Sequence, residues 1–224
     1  MPIPDIGPEP ARVRRHLRPG SVLATLIVVG SAALVAVPAA GATAPARAAS
    51  HKQANRRHQA RRDSACAGAN ARVGRASTQV LRSAVVCLIN QERAAHHLPV
   101  LTASPLLNNS AQRWTNAMVS SDQFTHGMNF AGRISAAGYD WRSAGENIAT
   151  GFATPRSVVA AWMASTGHCQ NILNPSYRNI GTGVSRGVVK GFATGVGTWT
   201  QDFALGMHQS APSGNYGPAS GCPY

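Results

Sequence analysis

Three side chains of this 224-residue chain combine type and setting in a way that could do chemistry: His126 in Phe124-Thr125-His126, Glu146 in Gly145-Glu146-Asn147, and His168 in Gly167-His168-Cys169. Glu146 and His168 belong to one stretch, Ser143 to Asn174, on either side of one amphipathic helix. Two neutral imidazoles and a carboxylate gathered in one cavity form a zinc set with an open coordination position for water or a ligand. A metal held there would lower the pKa of its bound water towards neutrality, the first requirement for hydrolysis. Taken singly, a histidine is ordinarily a hydrogen-bonded structural residue, and that reading is kept for His96, His97 and His208. Glu146 has an equally good structural reading, as an acceptor that holds a cavity together.

The elements that must position these groups can be read in order. Thr78 to His96 carries Leu81, Val85, Leu88 and Ile89 at helical spacing, with Pro99 just past its end. Ser104-Pro105 is an N-cap and first-turn pair, followed by Leu107, Ala111, Trp114 and Met118 on one face of a second helix. A short helix is expected from Phe130 to Ala137, stopped by Gly138. Thr154-Pro155 opens another, which presents Val158, Val159, Trp162 and Met163. Beyond Pro175 the pattern changes: Ile180 to Ser185, Val188 to Ala193 and Thr198 to Ala204 are short β-branched or aromatic runs between glycines, an antiparallel meander. Helices first and strands later, without βαβ alternation, indicate an α+β layered domain.

The N-terminus reads as a targeting segment. Arg12, Arg14, Arg15 and Arg18 precede an apolar run from Ser21 to Val37 and then small residues, the order of an export signal. Ala40-Gly41-Ala42 is the favoured cleavage triplet and Ala46-Arg47-Ala48 the second. An uncleaved anchor is the alternative, although the run is slightly short of the ~20 apolar residues of a span. The expected division is an export signal at 1–42, a basic linker at 43–63 and one domain at 64–224. The linker places Lys52, Arg56, Arg57, Arg61 and Arg62 among Ala, Gln and His with no apolar period, so nothing there offsets the entropy of ordering. The formal charge is +13, and beyond residue 63 only eleven Lys and Arg stand against five Asp and Glu. The tail therefore suits non-specific contact with anionic envelope polymers or lipid heads. Nucleic acid is a poor partner for an exported chain whose basic residues are not interleaved with aromatics.

Four cysteines, Cys66, Cys87, Cys169 and Cys222, all fall in the domain, and an even number in an exported chain reads as two disulfides with three connectivities open. Cys66 with Cys87 and Cys169 with Cys222 is the favoured pairing, tying the domain's start to its first helix and its end to the central stretch. In the loop-entropy account these contribute roughly 3 and 4 kcal/mol. A zinc-thiolate site lacks any C-x-x-C spacing. Gly181-Thr182-Gly183 is read as hairpin glycine, because no helix follows to bind phosphate. Asn108-Asn109-Ser110 matches a glycosylation sequon but lies inside an expected helix, which favours a packing or surface role. No Gly-x-Ser-x-Gly elbow, HExxH or Cys-His nucleophile pattern is present.

The ordered set Cys87-Leu88-Ile89-Asn90-Gln91-Glu92-Arg93, Leu98-Pro99-Val100-Leu101, Phe124-Thr125-His126, Ala144-Gly145-Glu146-Asn147-Ile148-Ala149, Trp162-Met163, Gly167-His168, Asn171-Ile172-Leu173-Asn174-Pro175, Ile180-Gly181 and Trp199-Thr200-Gln201 strongly resembles the CAP superfamily of cysteine-rich secretory, antigen 5 and pathogenesis-related proteins. The closest likeness is to its short secreted bacterial branch, the SCP-domain proteins, over roughly Val80 to Phe203. The resemblance implies a three-layer α-β-α sandwich. It also implies a cavity with two histidines and two acidic residues, placing the histidines on His126 and His168 and one acid on Glu146. The second acid normally follows the helix tryptophan by three positions, and here that position is Ser165. The position after the second histidine, aromatic in many eukaryotic members, is Cys169. With an acid replaced by Ser165, fewer groups remain to orient the histidines or act as a general base.

The expectation is a secreted binding module whose cavity, lined by His126, Glu146, His168 and Ser165, takes a divalent metal such as zinc, a lipid or a peptide. The resemblance implies lipid or small-ligand binding in some members and no catalysis common to all. The alternative is a metal-assisted hydrolase of peptides or envelope polymers working through His126, Glu146 and His168. A third reading is a structural envelope protein positioned by its basic tail.

Overall fold

Side chains that replace missing backbone partners decide where the helices begin. In the computed structural model, which describes residues 66–211 and Cys222, Ser77 accepts from the Val80 amide and opens α1 (Thr78–Ala95). Ser104 accepts from Leu107 and, with Pro105 in the first turn, opens α2 (Pro105–Ser121), which ends at Asp122 in the left-handed region. Asn129 caps α3 (Phe130–Ala136) through the Gly132 amide. Thr154 and Ser157 cap each other reciprocally at the start of α4 (Pro155–Met163), and α5 (Thr166–Ile172) follows after Ser165. The expected export signal and basic linker lie outside the described residues. Among the described residues no helix is long and apolar enough to cross a membrane.

The strands are β1 (Thr102–Ala103), β2 (Trp141–Thr150), β3 (Asn179–Ser185) and β4 (Thr198–Gly206), and they form one sheet in the order β1-β3-β4-β2. β1 runs parallel to β3, whereas β3 with β4 and β4 with β2 are antiparallel. Because strand side chains alternate between faces, each strand divides its residues between two helical layers. Ile180, Val184, Trp199, Phe203 and Ala149 join the apolar faces of α1, α4 and α5 in the main core. On the opposite face, Ala204 packs with Leu107 of α2 and Ile134 of α3, and Ile148 packs with Met118 of α2. The expected three-layer α-β-α sandwich is therefore formed.

Both disulfides adopt the favoured pairing, Cys66–Cys87 and Cys169–Cys222. A buried arginine makes a further cross-link. Arg93, at the end of α1, donates to the carbonyls of Pro99, Ile172 and Asn174, and so clasps the end of α5 against α1. Burial lowers its pKa to about 10, still far above neutrality.

Three expectations are corrected. Val188 to Ala193 is not a strand: the Val189 amide bonds to Thr150 Oγ1, the Lys190 amide to Asp122 and the Phe192 amide back to the Val189 carbonyl, so these donors go to side chains and a local turn. Gly181 and Gly183 are not hairpin glycines but lie inside β3, directly under α2. A Cβ at Gly181 would stand 2.1 Å from the Leu107 carbonyl carbon, and one at Gly183 would stand 2.3 Å from the Ala111 oxygen. The segment between Glu146 and His168 holds more than one helix, because α5 begins just before His168 and β2 carries Glu146. The sequon residue Asn108 has a packing role, its Oδ1 accepting from the Thr182 amide at 2.8 Å.

The close approach of α2 to β3 yields a test. Gly181→Ala would push helix backbone off the sheet and destabilise the domain by about 1–3 kcal/mol, the usual range for overpacking. Urea unfolding should show a lower midpoint with an unchanged m value.

Candidate functional site at the edge of the sheet

β2 is the outer strand of the sheet, and its register with β4 sets which residues face which layer. Glu146 lies opposite Asp202 and Asn147 opposite Gln201. Glu146 and Asp202 point with Ala144 and Ala204 towards α2 and α3, while Asn147 and Gln201 point towards α4 and α5. A Cβ at Gly145 would meet the Tyr177 hydroxyl at 2.5 Å and the Asn171 side-chain oxygen at 2.9 Å, so any larger residue would displace these side chains.

The Glu146 side chain is 1% exposed, and both of its oxygens are engaged. His126 donates from Nδ1 to Oε1 at 2.9 Å, and the Arg133 guanidinium donates to Oε2 at 2.5 Å. The same guanidinium donates to the His126 carbonyl at 2.9 Å and lies over the Trp114 ring at 3.8 Å. Trp114 in turn donates to the Thr125 carbonyl at 3.0 Å. One arginine on α3 thus fixes the carboxylate, the loop that carries His126, and the α2 tryptophan beneath both.

His168 comes from the other layer. Its carbonyl accepts from Asn147 Nδ2 at 3.2 Å, and Asn147 also donates to Gln201 Oε1 at 3.3 Å. Asn171 donates to the Glu146 carbonyl at 3.1 Å and to Asn147 Oδ1 at 2.9 Å. This amide chain pins α5 to the back of β2, so that the two imidazoles approach from opposite layers around the sheet edge. Burial, and secondarily the charge of nearby His126, lower the His168 pKa to about 4, so its ring is neutral at neutral pH. Ser165 is the N-cap residue of α5, accepting from the Cys169 amide at 2.8 Å through its carbonyl, while its side chain makes no cap bond.

The structure therefore brings His126 and Glu146 into direct contact, sets His168 within electrostatic reach of His126, and leaves Ser165 as a helix opener. Among the described residues no group of three His, Cys, Asp or Glu converges as a metal-binding set. With both oxygens engaged and a guanidinium against it, Glu146 does not fit as a third zinc ligand in this arrangement. The groups left for a ligand are the His126 Nε2 and the His168 ring. A carboxylate on the far nitrogen orients an imidazole and raises its basicity.

Two residues of the site escaped the sequence reading. Arg133 gives no local sign, because its partner is contributed by another element. Asp202 could have been found: it is the one acidic residue in Thr198–Gly206, a strand buried along its whole length. Its pKa is raised well above the ordinary carboxyl value, first by burial and then by the charge of Glu146, with Ser110 and Arg133 acting in the opposite direction.

Comparison with known proteins agrees with this architecture. A profile of the cysteine-rich secretory protein family, CAP, matches residues 86–203. The uncharacterized protein YkwD of Bacillus subtilis (strain 168) is 36% identical over 132 residues, covering 57% of this chain and 48% of that protein. The chain thus spans about half the length of that curated relative. An extracellular SCP-domain protein from Bacillus anthracis superposes with a TM-score of 0.50 at 22% identity, over 58% of this chain and 44% of that one, a likeness of fold. A cysteine-rich secretory protein from Staphylococcus aureus gives 0.46 at 20% identity, over 54% and 36% of the two chains.

The depressed His168 pKa yields a signed prediction for metal-free protein. Between pH 6.5 and about 4 the unfolded chain binds a proton at this position that the folded chain does not. Its contribution to stability is complete above pH 6.5 and falls as pH drops towards 4, by up to about 3 kcal/mol in all. Urea unfolding across this range should show a shallower acid loss in His168→Gln than in wild type.

Proposed function

Because the chain belongs to the CAP family of cysteine-rich secretory proteins, we propose that it is an exported binding module that takes a ligand between His126 and His168. The observation that carries this reading is the closure of Glu146. A carboxylate held on both oxygens and shielded from solvent is a poor general base, whereas His126 Nε2 is left to meet a ligand. The ligand classes that suit two imidazoles are a divalent ion, with Glu146 as an outer partner behind His126, and a polar lipid or peptide group that hydrogen-bonds to the rings. Export is supported by the charged, apolar, small-residue order of the N-terminus and by two disulfides, which persist in oxidising compartments. The basic segment 43–63 would add salt-sensitive attraction to anionic envelope polymers.

A second reading, metal-assisted hydrolysis of peptides or envelope polymers, draws on one observation: the Glu146-His126 pair resembles the carboxylate-imidazole arrangement that backs catalytic metals. Calorimetric titration of the purified domain with zinc, mass spectrometry of copurifying lipid, and a panel of peptide and polymer substrates separate the two. Binding that is lost in a folded His126→Ala/His168→Ala variant, with no turnover, is the expected result. Turnover that disappears in a folded Glu146→Gln variant would replace the binding module with the enzyme.

A further inference from the structure

The strand register places a second carboxyl group directly across from Glu146, and among the described residues it forms no ion pair of its own, Arg133 being paired with Glu146. Asp202 is 1% exposed, and its Oδ1 has no hydrogen-bond partner. The groups that face the pair are Ser110 of α2, Arg133 of α3 and His126 of the preceding loop. Arg133 directs its two terminal nitrogens to Glu146 and to the His126 carbonyl, and its Nε makes no hydrogen bond. His126 turns Nδ1 to Glu146, and Ser110 is neutral. Two buried carboxylates sharing one guanidinium would leave an unmatched negative charge in the protein interior, which carboxyl pairs relieve by sharing a proton.

We infer that Asp202 is a positioning residue, a neutral carboxylic acid whose O–H donates to Glu146 and so fixes the carboxylate that holds His126 by Nδ1. The pair then carries a single negative charge, matched by Arg133, and the ladder Asp202, Glu146, His126 leads from the centre of the sheet to the ligand-facing nitrogen. The inference deepens the reading of His126 as a ligand-facing group and rests on it. Its tests are made on ligand-free protein, so they fail separately from any test of ligand binding.

Infrared spectra of the full chain at neutral pH should contain a protonated-carboxyl C=O stretch that moves on 13C labelling of aspartate and is absent from Asp202→Asn. In 15N spectra the His126 ring resonances should stay in place in Asp202→Asn, whose amide N–H donates where the acid did, and should move in Asp202→Leu, which has no donor. A neutral-pH spectrum without a protonated aspartate, or a band that follows glutamate labelling instead, would overturn the inference. So would His126 resonances unchanged in a folded Asp202→Leu variant. If that variant does not fold, the labelled infrared bands of wild type and Asp202→Asn decide the matter alone.

Discussion

A carboxylate with almost no contact with water must have its charge matched and its lone pairs occupied, or the site does not form. Glu146 meets that requirement with partners that β2 itself cannot supply. Arg133 arrives from α3, His126 from the loop before it, and Trp114 of α2 supports the guanidinium face. The layer over this side of the sheet is consequently assembled around one ion pair, because α2, α3 and the connection between them all touch the same arginine. A merely apolar layer would hold the helices equally well but would not fix the direction of an imidazole.

The opposite face of β2 uses neutral hydrogen bonds for the corresponding task. Asn147, Asn171 and Gln201 form a chain of amides that attaches α5 to the strand, and the bare backbone of Gly145 lets Tyr177 and Asn171 come close. Arg93 and the Cys169–Cys222 disulfide hold the two ends of the same region. An outer strand flanked in this way lets side chains from both layers meet beyond its edge. The two histidines, 42 positions apart in the numbering, are brought within electrostatic reach of each other there.

Much of this was legible in the sequence, for reasons that differ by element. Ser77, Ser104 and Thr154 announce helices because a cap is a local interaction, satisfied within three residues. β3 and β4 are visible through their β-branched and aromatic runs. β2 is not, because Trp-Arg-Ser-Ala-Gly-Glu-Asn-Ile-Ala-Thr has no apolar alternation; both of its faces are covered, and its polar side chains are satisfied by distant elements. Gly181 and Gly183 were misread for a similar reason. Nothing nearby in the chain reveals that α2 lies against them. The family resemblance pointed to His126, Glu146 and His168, whereas Arg133 and Asp202, which bear on what Glu146 can do, lie outside the motif pieces that carry that resemblance.

The central claim is that Glu146 and Arg133 act as one unit that closes the carboxylate to outside chemistry. A double-mutant cycle in urea on Arg133→Met, Glu146→Gln and the combined variant tests it most directly. If the claim holds, Arg133→Met alone costs roughly 3 kcal/mol by leaving a buried charge unmatched. Adding Glu146→Gln should then recover much of that loss, a coupling of about 2 kcal/mol or more. Strictly additive losses would show that Glu146 does not depend on Arg133, and would return it to the set of groups free to bind a metal or accept a proton.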